Sequence, residues 1–528
     1  MRAAEAILEI LRDEGVDRVF GNPGTTELPF VDALARAGLP YVLAPHEGAV
    51  VAMADGYARA TGRTAFVSLH VAAGLANGLI GMLNAGKSRT PMVVTAGQQD
   101  SRHLIQEPML GGDLVALAAG ASKQALEVHR AEDIPVVLRR AFRLAAAAPA
   151  GPVFVSIPMD LLEQDAGPVP ARTTVRRGAV PEGTAEAAKL LREARKPVVV
   201  AGDQIGRRGA VEELVRVAEA LGAPVFHQPM NDALDFPMDH PLYAGMLLPE
   251  NERIRERLAE YDTVFLAGVR AFAPHHYSVG PALEPGQCVV QLDEVDAELG
   301  RNYAAELALL GDVRGGLAAI ADALGDGVAG GGAPRPAPSV PADATGVLDP
   351  RAAAATVAAS LPEGAVLIEE AITTGLLLRE ELRLSEPGTF HHTVGGGLGW
   401  GIGAAVGVAL ARPDRPVVAA LGDGCALFGL HGLWTAAHES TATTFVVFSN
   451  GEYRTLKQTL TKMRGGRSGD FPGMDLSGPT TDWPALAGAL GVPGVRVGSA
   501  AELAETLRAR TAEDGPLLIE VPVTPFAG

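Results

Sequence analysis

Short apolar runs alternate with helical stretches along the whole chain, and this alternation constrains the fold more than any other feature. The runs AFVSL at 65–69, PVVVA at 197–201 and TTFVVFS at 443–449 are rich in β-branched and aromatic residues, as strands are. Parallel strands joined by right-handed helical crossovers produce this order. The sequence therefore predicts an α/β fold with three doubly wound parallel sheets.

Changes in composition divide the chain into three domains. The segment 325–346 is rich in Gly, Pro and Ala, which is typical of an exposed linker, and a softer break lies at 163–184. With 528 residues, of which 47% are hydrophobic, each part is long enough for its own core. We expect an N-terminal domain at 1–170, a central domain at 180–325, a linker at 326–348 and a C-terminal domain at 349–528.

Charge and cysteine content argue against several classes of protein. The formal net charge is −18, whereas nucleic-acid binding needs clustered Lys and Arg. The two cysteines, Cys288 and Cys425, are far apart, so neither a disulfide framework nor a structural zinc site is expected, and a reducing cytoplasm fits best. We expect no membrane segment, because the uncharged stretch 387–411 contains eight glycines and two histidines.

Two strand-like runs end in a small polar residue beside glycine. One run leads into Gly422-Asp423-Gly424, and the next leads into Asn450. If these strands are neighbours, a carboxylate and an amide oxygen face the same point, and with the main-chain oxygen of Glu452 they suit Mg²⁺. A single GDG can equally be an Asp-containing turn, so the pair of motifs carries the argument.

The spacing from GDG to Asn resembles the diphosphate and metal signature of thiamin-diphosphate enzymes. Further stretches, including VFGNPGTTELPFVDAL, LHVAAGLANGLIGMLNA and FPGMDL, are similar to the benzoylformate decarboxylase family within the larger 2-oxo-acid decarboxylase and acetolactate synthase group. This resemblance spans essentially the whole chain. It implies pyrimidine-binding, middle and diphosphate-binding domains, with thiamin diphosphate and Mg²⁺ as cofactors.

The resemblance also implies roles for residues around the cofactor. Glu47 matches the glutamate that hydrogen-bonds the aminopyrimidine ring, although taken alone it is typical of a carboxylate in the first turn of a helix. In the glycine-rich stretch 395–407, Gly396 would offer its carbonyl to the pyrimidine amino group and Leu398 would support the folded cofactor. That stretch also fits close helix packing, and fits a dinucleotide fingerprint only loosely. In the family, two adjacent hydroxyl residues contact the diphosphate and the substrate. Of these two positions, only Thr373 has a hydroxyl in this sequence.

Three further residues would act on the substrate if the resemblance holds. His70 matches a histidine that binds and protonates the substrate, and His275 matches a second catalytic histidine. Taken alone, His70 at a strand end is equally a hydrogen-bonded structural histidine. Thr25 stands where the family has a carboxylate-binding serine. In the family's phenyl pocket, Thr455 stands at a small position and Thr459 stands at an aromatic position. The loss of that aromatic side chain weakens the case for benzoylformate itself.

We therefore expect a carboxy-lyase that releases CO₂ and an aldehyde from a small-molecule 2-oxo acid. An acetolactate-synthase-like carboligase and a non-catalytic binding protein are the alternatives. Glu47 and Asp423 lie in different predicted domains, yet one cofactor must reach both. In the resembling enzymes they come from different subunits, so a homodimer or homotetramer is expected.

Overall fold

The computed structural model describes residues 1–175, 179–270, 272–325, 335–342, 344–467 and 469–526. Its residues form two compact units, the first made of 1–174, 339–378 and 395–528 and the second of 175–338 and 379–394. Three six-stranded sheets run through these residues, which confirms the predicted fold class. The predicted linker at 326–348 lies partly outside the described residues.

The first sheet occupies the N-terminal part of the first unit. Its strands are parallel, in the order β2-β1-β3-β4-β6-β5. The strands are β1 (Val19–Gly21), β2 (Tyr41–Leu43), β3 (Ala65–Leu69), β4 (Met92–Gln98), β5 (Gln124–Glu127) and β6 (Pro152–Pro158). The helices are α1 (Ala3–Asp13), α2 (Leu28–Ala37), α3 (Glu47–Thr61), α4 (Val71–Lys87), α5 (Leu114–Ala119) and α6 (Ile134–Ala146).

The second sheet forms the core of the second unit. Its parallel strands have the order β12-β11-β10-β7-β8-β9. The strands are β7 (Pro197–Ala201), β8 (Val225–His227), β9 (Tyr243–Met246), β10 (Thr263–Ala267), β11 (Cys288–Asp293) and β12 (Leu307–Leu310). The helices are α7 (Thr184–Glu193), α8 (Gln204–Arg207), α9 (Val211–Leu221), α10 (Asn251–Leu258) and α11 (Val313–Leu324).

The third sheet has six strands, of which five lie in the first unit in the parallel order β13-β15-β16-β18-β17. The strands are β13 (Val366–Glu370), β14 (Phe390–His392), β15 (Val417–Gly422), β16 (Thr443–Ser449), β17 (Gly494–Arg496) and β18 (Leu517–Pro522). The helices are α12 (Pro350–Ser360), α13 (Thr374–Glu381), α14 (Trp400–Ala411), α15 (Asp423–Gly429), α16 (His431–His438), α17 (Arg454–Met463), α18 (Trp483–Ala489) and α19 (Ala500–Arg508).

Helices α3 and α14 pack closely and join the two sheets of the first unit. Glycines allow this approach: a Cβ on Gly56 would lie 2.2 Å from the carbonyl oxygen of Ala404, and one on Gly407 would lie 1.9 Å from that of Met53. One buried apolar cluster contains side chains of both helices and both sheets. Burial of this shared surface holds the elements that carry the site in place.

The uncharged stretch 387–411 does not form one long helix. Helix α14 takes only its last 12 residues, and a glycine-rich loop precedes it. Across the part of the chain that the structure describes, we find no helix with the length and hydropathy needed to cross a bilayer.

Candidate active site

The Glu47 carboxylate lies at the start of α3, at the carboxyl edge of the first sheet, and is 7% exposed. Its Oε1 accepts a hydrogen bond from the amide of Asn22 at 3.1 Å, and its Oε2 accepts one from the amide of Asn77 at 3.0 Å. A Cβ on Gly74 would lie 3.0 Å from Oε1, so glycine there leaves room for the carboxylate. Two amide donors therefore hold a buried acid in one orientation.

His70 follows β3 and is held by a second buried carboxylate, that of Glu27. The His70 Nδ1 lies 2.9 Å from Glu27 Oε2, and the hydroxyl of Thr26 donates to Glu27 Oε1 at 2.5 Å. The main-chain N–H groups of Gly24 and Gly97 also donate to Glu27, at 2.9 and 3.0 Å. An ionised Glu27 accepts only, so Nδ1 donates to it, and Nε2 becomes the atom that can exchange a proton with a ligand.

Thr25 occupies the turn beside His70 and is exposed. A Cβ on the preceding Gly24 would lie 2.2 Å from the Nδ1 of His70, so this turn packs directly against the imidazole ring. The structure thus brings Thr25, His70 and Glu27 together, and Asn22 in the same turn connects them to Glu47.

Asp423 and Asn450 follow the neighbouring strands β15 and β16, as the motif spacing predicts. Asp423 is 6% exposed, and its Oδ2 accepts from the main-chain N–H groups of Asn450 at 3.0 Å and Gly451 at 2.7 Å, while Oδ1 accepts from Gly424 at 2.8 Å. Burial raises the pKa of the Asp423 carboxyl, and these three N–H groups oppose the shift. The Asn450 amide oxygen accepts from the N–H of Glu452 at 3.0 Å.

The chemistry of this strand edge fits a hard cation. Among the described residues, no three His, Cys, Asp or Glu side chains converge as metal ligands would. A cation here would rest on one carboxylate, one amide oxygen and a main-chain oxygen, with phosphate or water completing its shell. That donor set suits Mg²⁺ and not zinc.

The loop that contains Gly396 and Leu398 leads into α14. Gly396 has φ +76° with open space around it, and Leu398 is half-buried. The following N–H groups of Trp400 and Gly401 donate to the Glu370 carboxylate at the end of β13, at 3.1 and 2.8 Å. Burial raises the pKa of Glu370 to about 8, and these N–H groups oppose the shift. Glu370 therefore fixes the exit of the loop to the third sheet.

The predicted diphosphate contact Thr373 lies just beyond that strand end. It is half-buried, and Thr374 and Gly375 after it begin helix α13 within a buried environment. A Cβ on Gly375 would lie 2.1 Å from the Oε1 of Glu369, so the chain turns closely around this carboxylate. Thr373 thus lies at the same strand end as Glu370.

His275 lies in the second unit, on an exposed loop. Its main-chain N–H donates to the carbonyl of Pro249 at 2.7 Å, and its ring centroid lies 4.3 Å from that of His276. Its catalytic role stays a prediction.

The groups around Glu47 and Asp423 are not bonded to each other within the described part of one chain. Among the described residues, no hydrogen bond or ion pair links Glu47, Asn22 or Asn77 to Asp423 or Asn450. The sheets meet elsewhere: the Asn84 amide donates to the carbonyl of Gly397 at 2.8 Å and the indole of Trp400 donates to Asp55 at 2.6 Å.

The sequence alone did not identify the hydrogen-bond partners that orient the predicted site residues. Asn22 and Asn77 orient Glu47, Glu27 orients His70, and Glu370 fixes the glycine loop. Only Glu370 left a signal, since an acid that ends the apolar strand VLIEE invites explanation. The other pairs are 25 to 43 residues apart, with no local pattern that links them.

The fold and the site place carboxylates and glycine-rich turns at the carboxyl edges of two parallel α/β sheets, the edge at which ligands of such sheets bind. Three models of the thiamine pyrophosphate enzyme family match the chain: the N-terminal TPP binding domain at 1–117, the central domain at 184–320 and the C-terminal TPP binding domain at 374–521. The chain belongs to the thiamine pyrophosphate enzyme family.

Relatives cover the full length of the chain. It is 34% identical to benzoylformate decarboxylase of Pseudomonas aeruginosa, over 98% of each chain, and 33% identical to a putative acetolactate synthase large subunit of Mycobacterium tuberculosis, over 100% of each.

Solved structures of decarboxylases have the same fold as this chain. A thiamine diphosphate-dependent 4-hydroxybenzoylformate decarboxylase of Rhodococcus jostii superposes with a TM-score of 0.92 at 31% identity, over 100% of each chain. Benzoylformate decarboxylase from Polynucleobacter necessarius superposes with a TM-score of 0.91 at 30% identity, over 99% of this chain and 98% of that one. The protein is a thiamin-diphosphate enzyme of the decarboxylase and acetolactate synthase group.

Proposed function

We propose that the protein catalyses non-oxidative decarboxylation of a 2-oxo acid, with thiamin diphosphate and Mg²⁺, to give an aldehyde and CO₂. The observation that carries the proposal is the pair of His70 with the buried Glu27 carboxylate, beside the Asn22–Glu47 pair at one sheet edge. A decarboxylase must deliver a proton after CO₂ leaves, and a histidine fixed by a carboxylate can do so.

The residues for the cofactor come from two sheet edges. Asp423, Asn450 and the main-chain oxygen of Glu452 would hold Mg²⁺ and, through it, the diphosphate, with Gly422, Gly424 and Thr373 beside it. Glu47 would bind the pyrimidine ring, with the Gly396 carbonyl and Leu398 against the same ring system. Thiamin diphosphate supplies a carbon nucleophile and an electron sink, which the side chains of the protein do not provide.

The substrate would lie between Thr25 and His70. The Thr25 hydroxyl is exposed in the turn that packs on the imidazole, so it can donate to a substrate carboxylate. His70 would exchange its proton at Nε2, because Glu27 occupies Nδ1. His275 is the candidate for a second proton transfer.

Carboligation is the second candidate function. Full-length similarity to a putative acetolactate synthase large subunit, at 33% identity, favours it. The two reactions differ in the step after CO₂ leaves: a proton gives an aldehyde, and a second carbonyl compound gives a ligated product. The proton donor at His70 and the decarboxylases among the relatives favour the first.

The active form would be a homodimer, or a homotetramer built from it. Among the described residues, no hydrogen bond or ion pair joins the Glu47 group to the Asp423 group, and we propose that a second copy of the chain supplies one of the two groups to each cofactor. Large apolar side chains of the C-terminal elements are exposed, with Ile372 at 44%, Phe428 at 57% and Leu456 at 47% of their surface. A subunit interface would cover side chains of this kind.

Assays with a panel of 2-oxo acids test the reaction. Benzoylformate, 4-hydroxybenzoylformate, pyruvate and aliphatic 2-oxo acids would be offered with thiamin diphosphate and Mg²⁺, and CO₂, aldehyde and ligated product measured separately. We expect CO₂ and aldehyde in equal amounts from at least one substrate. A ligated product as the main outcome would support the second candidate, and no CO₂ from any substrate would contradict both.

Two variants connect that activity to the site. Glu47→Gln keeps the shape of the side chain but removes its charge, and Asp423→Ala removes the carboxylate proposed for Mg²⁺. We expect both to lose most of the CO₂ release, and Asp423→Ala to lose bound cofactor as well. Full cofactor retention in Asp423→Ala would contradict the proposed metal site.

A further inference from the structure

The loop that would supply two of the Mg²⁺ ligands is held by contacts on both of its sides. On one side, the Asp423 carboxylate accepts from the N–H groups of Asn450 and Gly451. On the other side, the Glu452 side chain is 5% exposed and is held by partners of its own. Its carboxylate bonds elsewhere, so only its main-chain oxygen remains a candidate ligand.

Both oxygens of that carboxylate are occupied. Lys457, on the first turns of α17, donates to Glu452 Oε2 at 2.6 Å and to Asp475 Oδ1 at 2.5 Å, and is 8% exposed. The main-chain N–H of Phe526, four residues after the last strand ends at Pro522, donates to Glu452 Oε1 at 2.5 Å. The Lys457 ammonium and the main-chain N–H of Phe526 thus supply a hydrogen-bond donor to each oxygen of the buried Glu452 carboxylate.

The segment after the last strand is itself attached to this region. Arg454 Nη1 donates to the carbonyl of Thr524 at 2.5 Å, and the ring of Phe526 lies 6.4 Å from that of Phe471, edge to face. The ammonium of Lys457 lies 5.5 Å from the centroid of the Phe471 ring. The two aromatic rings and Lys457 therefore form one connected cluster against the loop.

A further segment of the same chain, at 474–476, is joined to this loop by main-chain hydrogen bonds. Tyr453 donates its N–H to the carbonyl of Met474 at 2.8 Å, and Leu476 donates to that of Gly451 at 2.7 Å. These bonds form a short antiparallel bridge between Glu452 and Asp475. The Gly451 carbonyl accepts within this bridge, and the carbonyl that follows it, that of Glu452, is the main-chain oxygen proposed as a ligand.

We infer that Lys457, the Glu452 carboxylate and the main-chain N–H of Phe526 form a clasp that positions the Glu452 main-chain oxygen and so sets the affinity for Mg²⁺. The inference rests on the proposed metal site. These are positioning residues, since none of their atoms in the clasp would touch the metal. Partners of metal ligands typically contribute 10- to 100-fold to metal affinity. Because the diphosphate would bind through Mg²⁺, a loosened clasp weakens cofactor binding as well.

The first test removes the cation of the clasp. Lys457→Met keeps the aliphatic stem, and Lys462→Met on the exposed end of the same helix is the matched control. Mg²⁺ bound at saturating thiamin diphosphate is measured by equilibrium dialysis on the full-length protein. We expect roughly 10- to 100-fold weaker binding in Lys457→Met and no change in Lys462→Met.

The second test leaves the buried charges in place. Phe526→Pro lacks the N–H donor, whereas Phe526→Ala keeps it, and both lose the aromatic ring. The comparison of their Mg²⁺ dissociation constants therefore excludes the effect of the ring, and we expect the weaker binding in Phe526→Pro, which lacks the hydrogen bond to Glu452. The melting temperature of each metal-free variant shows whether a change reflects the site or the whole fold.

The outcomes separate the clasp from the metal site. Wild-type affinity in both Lys457→Met and Phe526→Pro, with Mg²⁺ binding lost in Asp423→Ala, would overturn the clasp alone. Wild-type affinity in Asp423→Ala, or no binding by the wild type, would overturn the metal site and the clasp together. Lower metal-free melting temperatures with unchanged Mg²⁺ affinity would also overturn the clasp, since they would show a structural role only.

Discussion

The contact between α3 and α14 gives a prediction whose magnitude can be worked out from geometry. In Gly407→Ala, the new Cβ would lie 1.9 Å from the carbonyl oxygen of Met53 and 2.9 Å from the main-chain nitrogen of Tyr57. Both atoms belong to the helix backbone, so no rotamer change relieves the clash. The helices must instead move apart, which opens the core that both sheets share.

Two effects of opposite sign set the net change in stability. Overpacking a tight core costs up to about 3 kcal/mol, and alanine favours a helix over glycine by roughly 1 kcal/mol. We therefore expect Gly407→Ala to lower the free energy of unfolding by about 2 kcal/mol, which is a fall of roughly 3 °C in melting temperature for a unit of this size.

A matched control isolates the clash from helix propensity. Gly488, in α18, has nothing within 4 Å of its would-be Cβ, so Gly488→Ala should raise stability by up to about 1 kcal/mol. Thermal unfolding followed by circular dichroism, without and with cofactor, compares both with the wild type. Melting temperatures that shift in the same direction in both variants would refute the steric reasoning.

Three further predictions concern the residues behind the site. Glu27→Gln should lower kcat about tenfold or more, because His70 loses the carboxylate that holds its Nδ1 and orients the imidazole ring; a wild-type kcat in steady-state assays would contradict this. Asn77→Ala leaves one oxygen of the buried Glu47 carboxylate without its amide donor, so bound thiamin diphosphate after gel filtration should decrease. Burial raises the pKa of Glu370 from 4.5 to about 8, so the folded chain keeps a proton that the unfolded chain loses, and stability falls as pH rises between these values. Glu370→Gln should remove that part of the slope, and an identical pH dependence of the melting temperature in both proteins would count against it.

Much of the fold could be predicted from the sequence, because the signals were local. Short apolar strands of three to seven residues that alternate with helices allow few arrangements other than parallel sheets with crossovers. The approach of Asp423 and Asn450 was predictable for the same reason, since neighbouring parallel strands end at one edge of the sheet. The sequence also indicated Glu47 and His70 as site residues, although their proposed roles rest on resemblance.

Only the tertiary structure decided which groups hold those residues. Glu27 meets His70 across 43 residues, and the Phe526 N–H meets Glu452 across 74, in segments with no shared pattern. Such pairs form because strands and loops distant in sequence converge at one sheet edge, where burial makes an unsatisfied carboxylate costly. The sequence determined which chemical groups stand at the strand ends, whereas the packing of the sheets determined which partners orient them.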